Sequence, residues 1–114
     1  MNETPHILRF RAFSHSLDVI SSLRPLVKRL KGHYSALVKQ LRRAASSVSL
    51  NLGESRGRTG GDRLHLLRIA HGSAEEVMAC LLVAQAWGYV AEKDVSDVIA
   101  QLDGLLAMLA SLTR

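Results

Sequence analysis

Aromatic residues, proline and cysteine are all scarce in this chain of 114 residues. It has two Phe, two Tyr and one Trp, and only two prolines interrupt long stretches in which Leu, Ala and Val recur at helical spacing. These features predict an all-helical protein. The single cysteine, Cys80, excludes an intramolecular disulfide framework and fits a reducing compartment, so we expect a cytoplasmic protein.

The N-terminal segment MNETPHILRF lacks a basic region followed by an apolar core, so no signal peptide is predicted. No uninterrupted apolar run approaches the roughly 20 residues that cross a bilayer, so no membrane partner is expected. The length suits one domain with one core, which we assign to residues 1–114.

Four segments repeat apolar residues every three or four positions: 8–30, 34–55, 63–87 and a last one that begins near Glu92. We predict an all-α, antiparallel up-down-up-down four-helix bundle. Gly32 is expected to end the first helix, and Asp62 to cap the third. Pro25 is expected to kink the first helix or shift its stripe by one residue. The inward side chains predicted for that helix are Phe10, Phe13, Leu17, Ile20, Leu23, Val27 and Leu30.

The third segment carries two apolar faces. One contains Leu66, Ile69, Ser73, Val77, Cys80, Ala84 and Trp87. A second, nearly opposite face contains Leu64, Leu67, Met78 and Leu82, with His71 among them. Because a bundle buries one face of each helix, the second face is predicted to be the interface of a homo-oligomer.

A polar stripe lies beside the apolar seam Leu37, Leu41, Ala44, Val48 and Leu52 of the second helix. We predict that it forms a structural network between helices 2 and 3, because buried polar groups need partners. The predicted members are Gln40, Arg43, Ser47, Asn51, Glu54, Ser73 and Glu76. The alternative is an enzyme that uses Arg43 with Glu54, but no nucleophile or metal ligand accompanies that pair.

Basic residues are concentrated in one half of the chain. Residues 1–68 hold 13 Lys or Arg against four Asp or Glu, a net +9, whereas residues 69–114 have a net −4. This asymmetry indicates an RNA or DNA partner, or else charge pairing between helices or subunits. No aromatic residues alternate with the cations, so we expect phosphate contacts without base stacking. The candidate residues are Arg24, Lys28, Arg29, Lys31, Lys39, Arg42, Arg56, Arg58 and Arg63.

Motifs for a metal, a cofactor or catalysis are not found. His6, His15, His33, His65 and His71 lack the Glu-x-x-His spacing of metal sites in bundles. Cys80 has core spacing and no activating neighbour. The Gly-rich segment 56–61, RGRTGG, is not a P-loop; it is either a simple turn or a flexible phosphate contact. We therefore predict a protein without enzymatic activity, metal or cofactor.

Three motifs in register, QxRRAAxSxxxNxxE from Gln40, RIAxGSxxE from Arg68 and AxxxGY ending at Tyr89, carry a family resemblance. The chain resembles the bacterial four-helix-bundle family encoded in intervening sequences of large-subunit ribosomal RNA genes. That group includes the accessory variability-determinant proteins of diversity-generating retroelements. The resemblance implies a pentameric ring. For the retroelement proteins it further implies a basic ring that binds nucleic acid and a reverse transcriptase.

The chain departs from that family at two places. The family usually continues Asn-Ile-Ala-Glu-Gly, where this chain has Asn-Leu-Gly-Glu-Ser at 51–55, and it often has aromatic residues at the positions of Arg63 and Leu66. Both changes leave the polar stripe intact. The predicted function is a pentameric scaffold that binds RNA or DNA through phosphates. The alternative is an adaptor ring that docks a protein, such as a reverse transcriptase, without contacting nucleic acid.

Overall fold

The computed structural model describes residues 5–114, and it contains one short 3₁₀ helix, His6–Arg9, and four long helices. Residues 1–4, which belong to the predicted 1–114 domain and to the segment in which no signal peptide was predicted, lie outside the described residues. The four helices are α1 (Arg11–Leu30), α2 (Ser35–Ser55), α3 (Gly60–Ala86) and α4 (Glu92–Leu112). Each helix packs on the preceding one, and α1 also packs on α4. The predicted all-α four-helix bundle is confirmed.

Helix α1 starts later than predicted and presents a different face to the core. Phe10 adopts an extended conformation and separates the 3₁₀ helix from α1. The buried residues of α1 are Ala12, Ser16, Val19, Leu23, Leu26 and Leu30, so only Leu23 and Leu30 of the predicted inward stripe are fully buried. Phe10, Phe13, Ile20 and Val27 cover the edges of the core instead. Small residues at 12 and 16 let α1 approach α2, and the larger side chains then fit beside the contact.

The seam predicted for α2 is confirmed, since Leu41, Ala44, Val48 and Leu52 are buried and Leu37 packs at the edge. Helix α3 begins at Gly60, three residues before the prediction. Asp62 therefore lies in the first turn and is not the N-cap, a position that Thr59 occupies.

The two apolar faces predicted for α3 need correction. Leu67 is only 1% exposed and belongs to the core of the protomer, so it is not available to another subunit. Ile69 and Trp87, predicted to face inward, are 37% and 71% exposed. The reason is that α3 packs against both α2 and α4, so the buried face is broad and centred between the two predicted faces. Of the second face, Leu82 is half exposed, and Leu64, His71 and Met78 are partly exposed.

Helix α4 supplies Val95, Leu102 and Leu109 to the core as predicted, with Ile99, Leu106 and Leu112 at its edge. By length and composition alone, α4 is also apolar enough to cross a membrane. The sequence prediction that no segment approaches such a span was therefore too strong. Here the apolar side of α4 packs on α1 and α3, which is the role of a core helix in a bundle.

Candidate nucleic-acid interface

A groove rich in positive charge runs between the second half of α1 and the first half of α2. Its main part has a volume of about 770 Å³, and a second depression of about 440 Å³ continues it toward the start of α2. Lys31, Arg42 and Ser46 line both parts. We call the whole depression the basic groove. It is lined by six cationic residues: Arg24, Lys28, Lys31, Lys39, Arg42 and Arg43.

Helical spacing explains why these cations share one groove. Arg24, Lys28 and Lys31 follow one another at intervals of four and three, so they form a row on one side of α1. Burial of Leu23, Leu26 and Leu30 turns that row outward. On α2, Lys39 and Arg42 are three residues apart and exposed, and the small side chains of Ala45 and Ser46 keep the floor open.

The electrostatics of the basic groove favour a polyanion. Among the described residues that line it, none is acidic, and all six cations are exposed. The first turn of α2 also lacks an acidic residue, and Tyr34, its N-cap, makes no side-chain capping hydrogen bond. The positive end of the α2 dipole therefore adds to the charge of the side chains.

Four of the predicted nucleic-acid residues lie outside the basic groove. Arg29 points toward α4, where its guanidinium lies 3.2 Å from the carboxylate of Asp94. Arg56 and Arg58 follow the opposite end of α2, about 20 Å along the helix axis from Arg42, and Arg63 lies in the first turn of α3. The predicted basic residues thus form two separate clusters, with Arg29 apart from both.

The second cluster, Arg56, Arg58 and Arg63, is largely engaged in contacts within the protomer. The Arg58 guanidinium lies 3.1 Å from the carboxylate of Glu54. The Arg56 guanidinium lies 6.0 Å from the centre of the Phe10 ring and donates a hydrogen bond to the carbonyl of His6. Arg63 is partly buried. These contacts connect the 3₁₀ helix and the α2–α3 turn to the bundle.

The polar stripe of α2 forms a smaller network than predicted. The hydroxyls of Ser47 and Ser73 lie 2.8 Å apart and join α2 to α3, and the Asn51 amide donates to the Ser47 carbonyl at 2.8 Å. Arg43 and Glu54, the pair named in the enzymatic alternative, do not meet, because 11 residues of helix separate them by about 16 Å. Gln40, Arg43 and Glu54 are exposed.

Glu76, the last predicted member of the network, acts on a neighbour through its charge. The Cys80 thiol one turn away is buried, and burial raises its pKa; the Glu76 carboxylate raises it further. Cys80 lies in the core, as its spacing predicted, and its raised pKa favours the protonated thiol.

The histidines of the described part of the chain do not assemble with other metal-binding side chains. Within residues 5–114, no group of three or more His, Cys, Asp or Glu side chains is placed to hold a metal ion. His15 Nε2 donates a hydrogen bond to the carbonyl of Gln101 at 2.8 Å and so connects α1 to α4. His71 lies 3.9 Å from Glu75 on the same helix.

The sequence prediction missed a cluster of aromatic residues beside the basic groove. The rings of Tyr34 and Tyr89 stack with centroids 3.5 Å apart, and the Trp87 ring lies 6.3 Å from Tyr89 at an interplanar angle of 14°. Tyr34 follows the α1–α2 turn, and the other two belong to the α3–α4 turn. In an up-down-up-down bundle these two turns lie at the same end, so the topology could have revealed the cluster.

Comparison with known proteins places this geometry in a family. The family model described as 23S rRNA-intervening sequence protein matches residues 10–111. The chain belongs to this family. A crystal structure of a protein of unknown function from the S23 ribosomal protein family, from Bacteroides thetaiotaomicron, matches with a TM-score of 0.83. It is 20% identical, and the match covers 90% of this chain and 98% of that one, which supports the fold. A search of curated proteins found no match.

Membership in the 23S rRNA-intervening sequence protein family confirms the resemblance drawn from three motifs, and each motif has a structural role here. Ser47 and Asn51 come from the first motif and Ser73 from the second, so these two motifs meet at the contact between α2 and α3. Tyr89 ends the third motif and stacks on Tyr34.

Proposed function

We propose that this protein is a non-enzymatic, homo-oligomeric scaffold, with a pentameric ring as its assembly, that binds RNA or DNA through phosphate contacts. The observation that carries the proposal is the basic groove, in which six exposed cations line one continuous depression. Neutralising phosphates releases condensed counterions, and this supplies affinity for any sequence. A ring repeats the groove on every subunit, so several weak contacts add up to useful avidity.

The apolar side chains on the α4 side of α3 support self-association. Leu82 is 50% exposed, and Leu64, His71 and Met78 extend the same side of the helix. We call this set the α3 strip. It lies on a different side of α3 from Ile69, and away from the basic groove between α1 and α2. A neighbouring subunit can therefore cover the α3 strip while the groove stays open.

The test of nucleic-acid binding compares two variants that lose the same charge. Arg24→Gln/Lys28→Gln/Arg42→Gln removes three cations from the groove, whereas Arg11→Gln/Arg68→Gln/Arg114→Gln removes three exposed cations elsewhere. Binding of RNA and of duplex DNA is measured by anisotropy over a range of salt concentrations. For B-DNA, each lost phosphate contact flattens the slope of log K against log salt by about 0.9, so the groove variant is expected to lose about 3 in slope.

The control variant is expected to keep most of the affinity and nearly the same slope. Equal losses in the two variants would show that charge acts without a groove and would overturn the assignment of the site. Absence of binding to RNA and DNA at low salt would overturn the nucleic-acid function as a whole.

Self-association is tested separately by sedimentation. Leu82→Glu places a charge on the α3 strip and is expected to reduce the assembly to smaller species. Leu50→Glu is the matched control, because Leu50 is 71% exposed on α2. A monomeric wild-type chain at micromolar concentration would contradict the oligomeric part of the proposal.

A further inference from the structure

The end of the bundle beside the basic groove presents a stack of near-parallel aromatic rings. Tyr34 and Tyr89 are inclined by 18° and Tyr89 and Trp87 by 14°, so the three rings share nearly one orientation. Trp87 is 71% exposed, the same fraction as Leu50 and the highest among the large apolar residues of the described part of the chain. We call these three residues the aromatic platform.

The aromatic platform is held by the fold and is not a loose group of surface side chains. Tyr34 and Tyr89 pack against the hydrophobic core. Gly88, at φ +78°, reverses the chain between α3 and α4, and the Tyr89 amide donates to the Ala84 carbonyl at 2.9 Å. Trp87 and Tyr89 therefore flank one defined turn, which fixes the backbone that carries both rings.

The platform adjoins the basic groove across the first turn of α2. A depression of about 410 Å³ is lined by Tyr34, Trp87 and Tyr89 together with Ser35, and Ser35 also lines the part of the groove that contains Lys31 and Lys39. Only the first turn of α2 separates the two, a distance comparable to the diameter of one helix, about 10–12 Å. Rings and cations are thus close enough for one short strand to reach both.

We propose that the aromatic platform binds an unpaired base of a single-stranded RNA or DNA whose phosphates occupy the basic groove. This rests on the proposed function and names the form of nucleic acid that the site prefers. A flat, exposed ring next to a row of cations matches the combination by which proteins bind single strands without sequence preference. A duplex keeps its bases stacked on each other, so it can use the cations but not the platform.

The tryptophan itself reports on this contact, because Trp87 is the only one in the chain. Oligo(U), oligo(dT) and a duplex of equal phosphate number are titrated into the full-length protein at low salt. Both single strands are expected to quench the tryptophan emission, whereas the duplex is expected to bind with little quenching. Comparing the affinities for oligo(U) and oligo(dT) shows whether the protein prefers RNA or DNA.

Substitutions then measure the affinity that the platform contributes. Trp87→Ala is expected to weaken single-strand binding at least about fivefold, the loss of one stacked base, and to leave duplex binding unchanged. Trp87→Phe is expected to restore part of the loss. Leu50→Ala, an equally exposed position away from the platform, is the matched control and is expected to have no effect. Circular dichroism checks that each variant is folded.

Three results would overturn the inference while leaving the proposed function intact. The first is equal binding of single strands and duplex with no quenching. The second is single-strand affinity that Trp87→Ala does not change. The third is a change in sedimentation of Trp87→Ala without nucleic acid, which would show that a second copy of the chain covers the platform. Failure of every nucleic acid to bind at low salt would instead reject the proposed function.

Discussion

The hydroxyls of Ser16 on α1 and Ser49 on α2 lie 2.8 Å apart inside the bundle, where both side chains are buried. Ser16 also donates to the carbonyl of Phe13 at 2.6 Å. Since a hydroxyl has one proton to donate, Ser49 must be the donor of the bond between the two serines. Ser49 is therefore the donor and Ser16 the acceptor. Without its partner, Ser49 loses its acceptor, whereas Ser16 keeps its bond to Phe13.

This asymmetry predicts different costs for two similar substitutions. Ser16→Ala leaves the Ser49 hydroxyl buried without its acceptor and is expected to reduce the free energy of unfolding by about 1–3 kcal/mol. Ser49→Ala leaves Ser16 bonded to Phe13 and is expected to cost only about 1 kcal/mol. Urea unfolding of both variants measures the difference. Equal costs, or a larger cost for Ser49→Ala, would contradict the assigned direction.

Part of this architecture was accessible from the sequence because helical periodicity is a local property. The seam of α2 and the start of α4 at Glu92 were predicted correctly. The buried face of α1 was not predicted correctly, because the hydrophobic pattern favours Phe10 and Phe13 over the small residues Ala12 and Ser16. Small residues mark close helix contacts only when the neighbouring helix is known, and the Ser16–Ser49 bond joins residues 33 positions apart.

The candidate site shows the same limit. Charge counting found all the cations of the basic groove except Arg43, which was assigned to the polar network. It also included Arg29 and Arg58, which have acidic partners in the protomer. The partner of Arg29 lies on α4 and follows from packing, whereas Arg58 and Glu54 are four residues apart and could have been paired from the sequence.

The Arg29–Asp94 pair predicts a dependence of stability on pH. The Ala91 amide donates to the Asp94 carboxylate at 2.8 Å, and this bond, with that from Arg29, holds the pKa of Asp94 below its usual value. The folded state therefore binds this proton less readily than the unfolded state does. The stabilisation is full above the ordinary Asp pKa of about 3.9 and is lost as the pH falls through the lower pKa of the folded state.

Asp94→Asn removes this charge and tests that dependence. The variant is expected to have a lower melting temperature than the wild type at pH 7, with the gap closing as the pH falls below about 3.9. Asp97→Asn, an exposed position on the same helix, is the control and is expected to show no such convergence. A gap between wild type and Asp94→Asn that stays constant from neutral to acid pH would disprove the assignment.

Burial of Cys80 predicts a thiol that reacts only when the bundle opens. Because burial and Glu76 both raise its pKa, little thiolate forms at mildly alkaline pH, and the thiolate is the reactive species. Iodoacetamide is expected to modify the native chain far more slowly than the chain in urea, with mass spectrometry as the readout. Similar rates in the two conditions would show that Cys80 is accessible and would contradict its place in the core.

Gly53 stands where the family resemblance implies Ala, and side chains of two other elements approach it closely. A methyl group there would lie 3.2 Å from Ile7 Cδ1 and 3.4 Å from Phe13 Cε1, so the 3₁₀ helix and α1 approach α2 at this point. Gly72 on α3 provides a control, because a methyl group at that position would meet no atom within 4 Å.

Comparing Gly72→Ala with Gly53→Ala separates the contributions of helix propensity and of packing to the free energy of unfolding. Gly72→Ala is expected to raise the free energy of unfolding by about 0.5–1 kcal/mol, since glycine in a helix interior is that much less favourable than alanine. Gly53→Ala is expected to gain less, but not to destabilise, because the contact is with the terminal carbon of a partly exposed isoleucine that can shift by a few tenths of an ångström. Urea unfolding measures both. Net destabilisation by Gly53→Ala would mean that Ile7 cannot yield, and that the 3₁₀ helix is packed on α2 as firmly as α1 is.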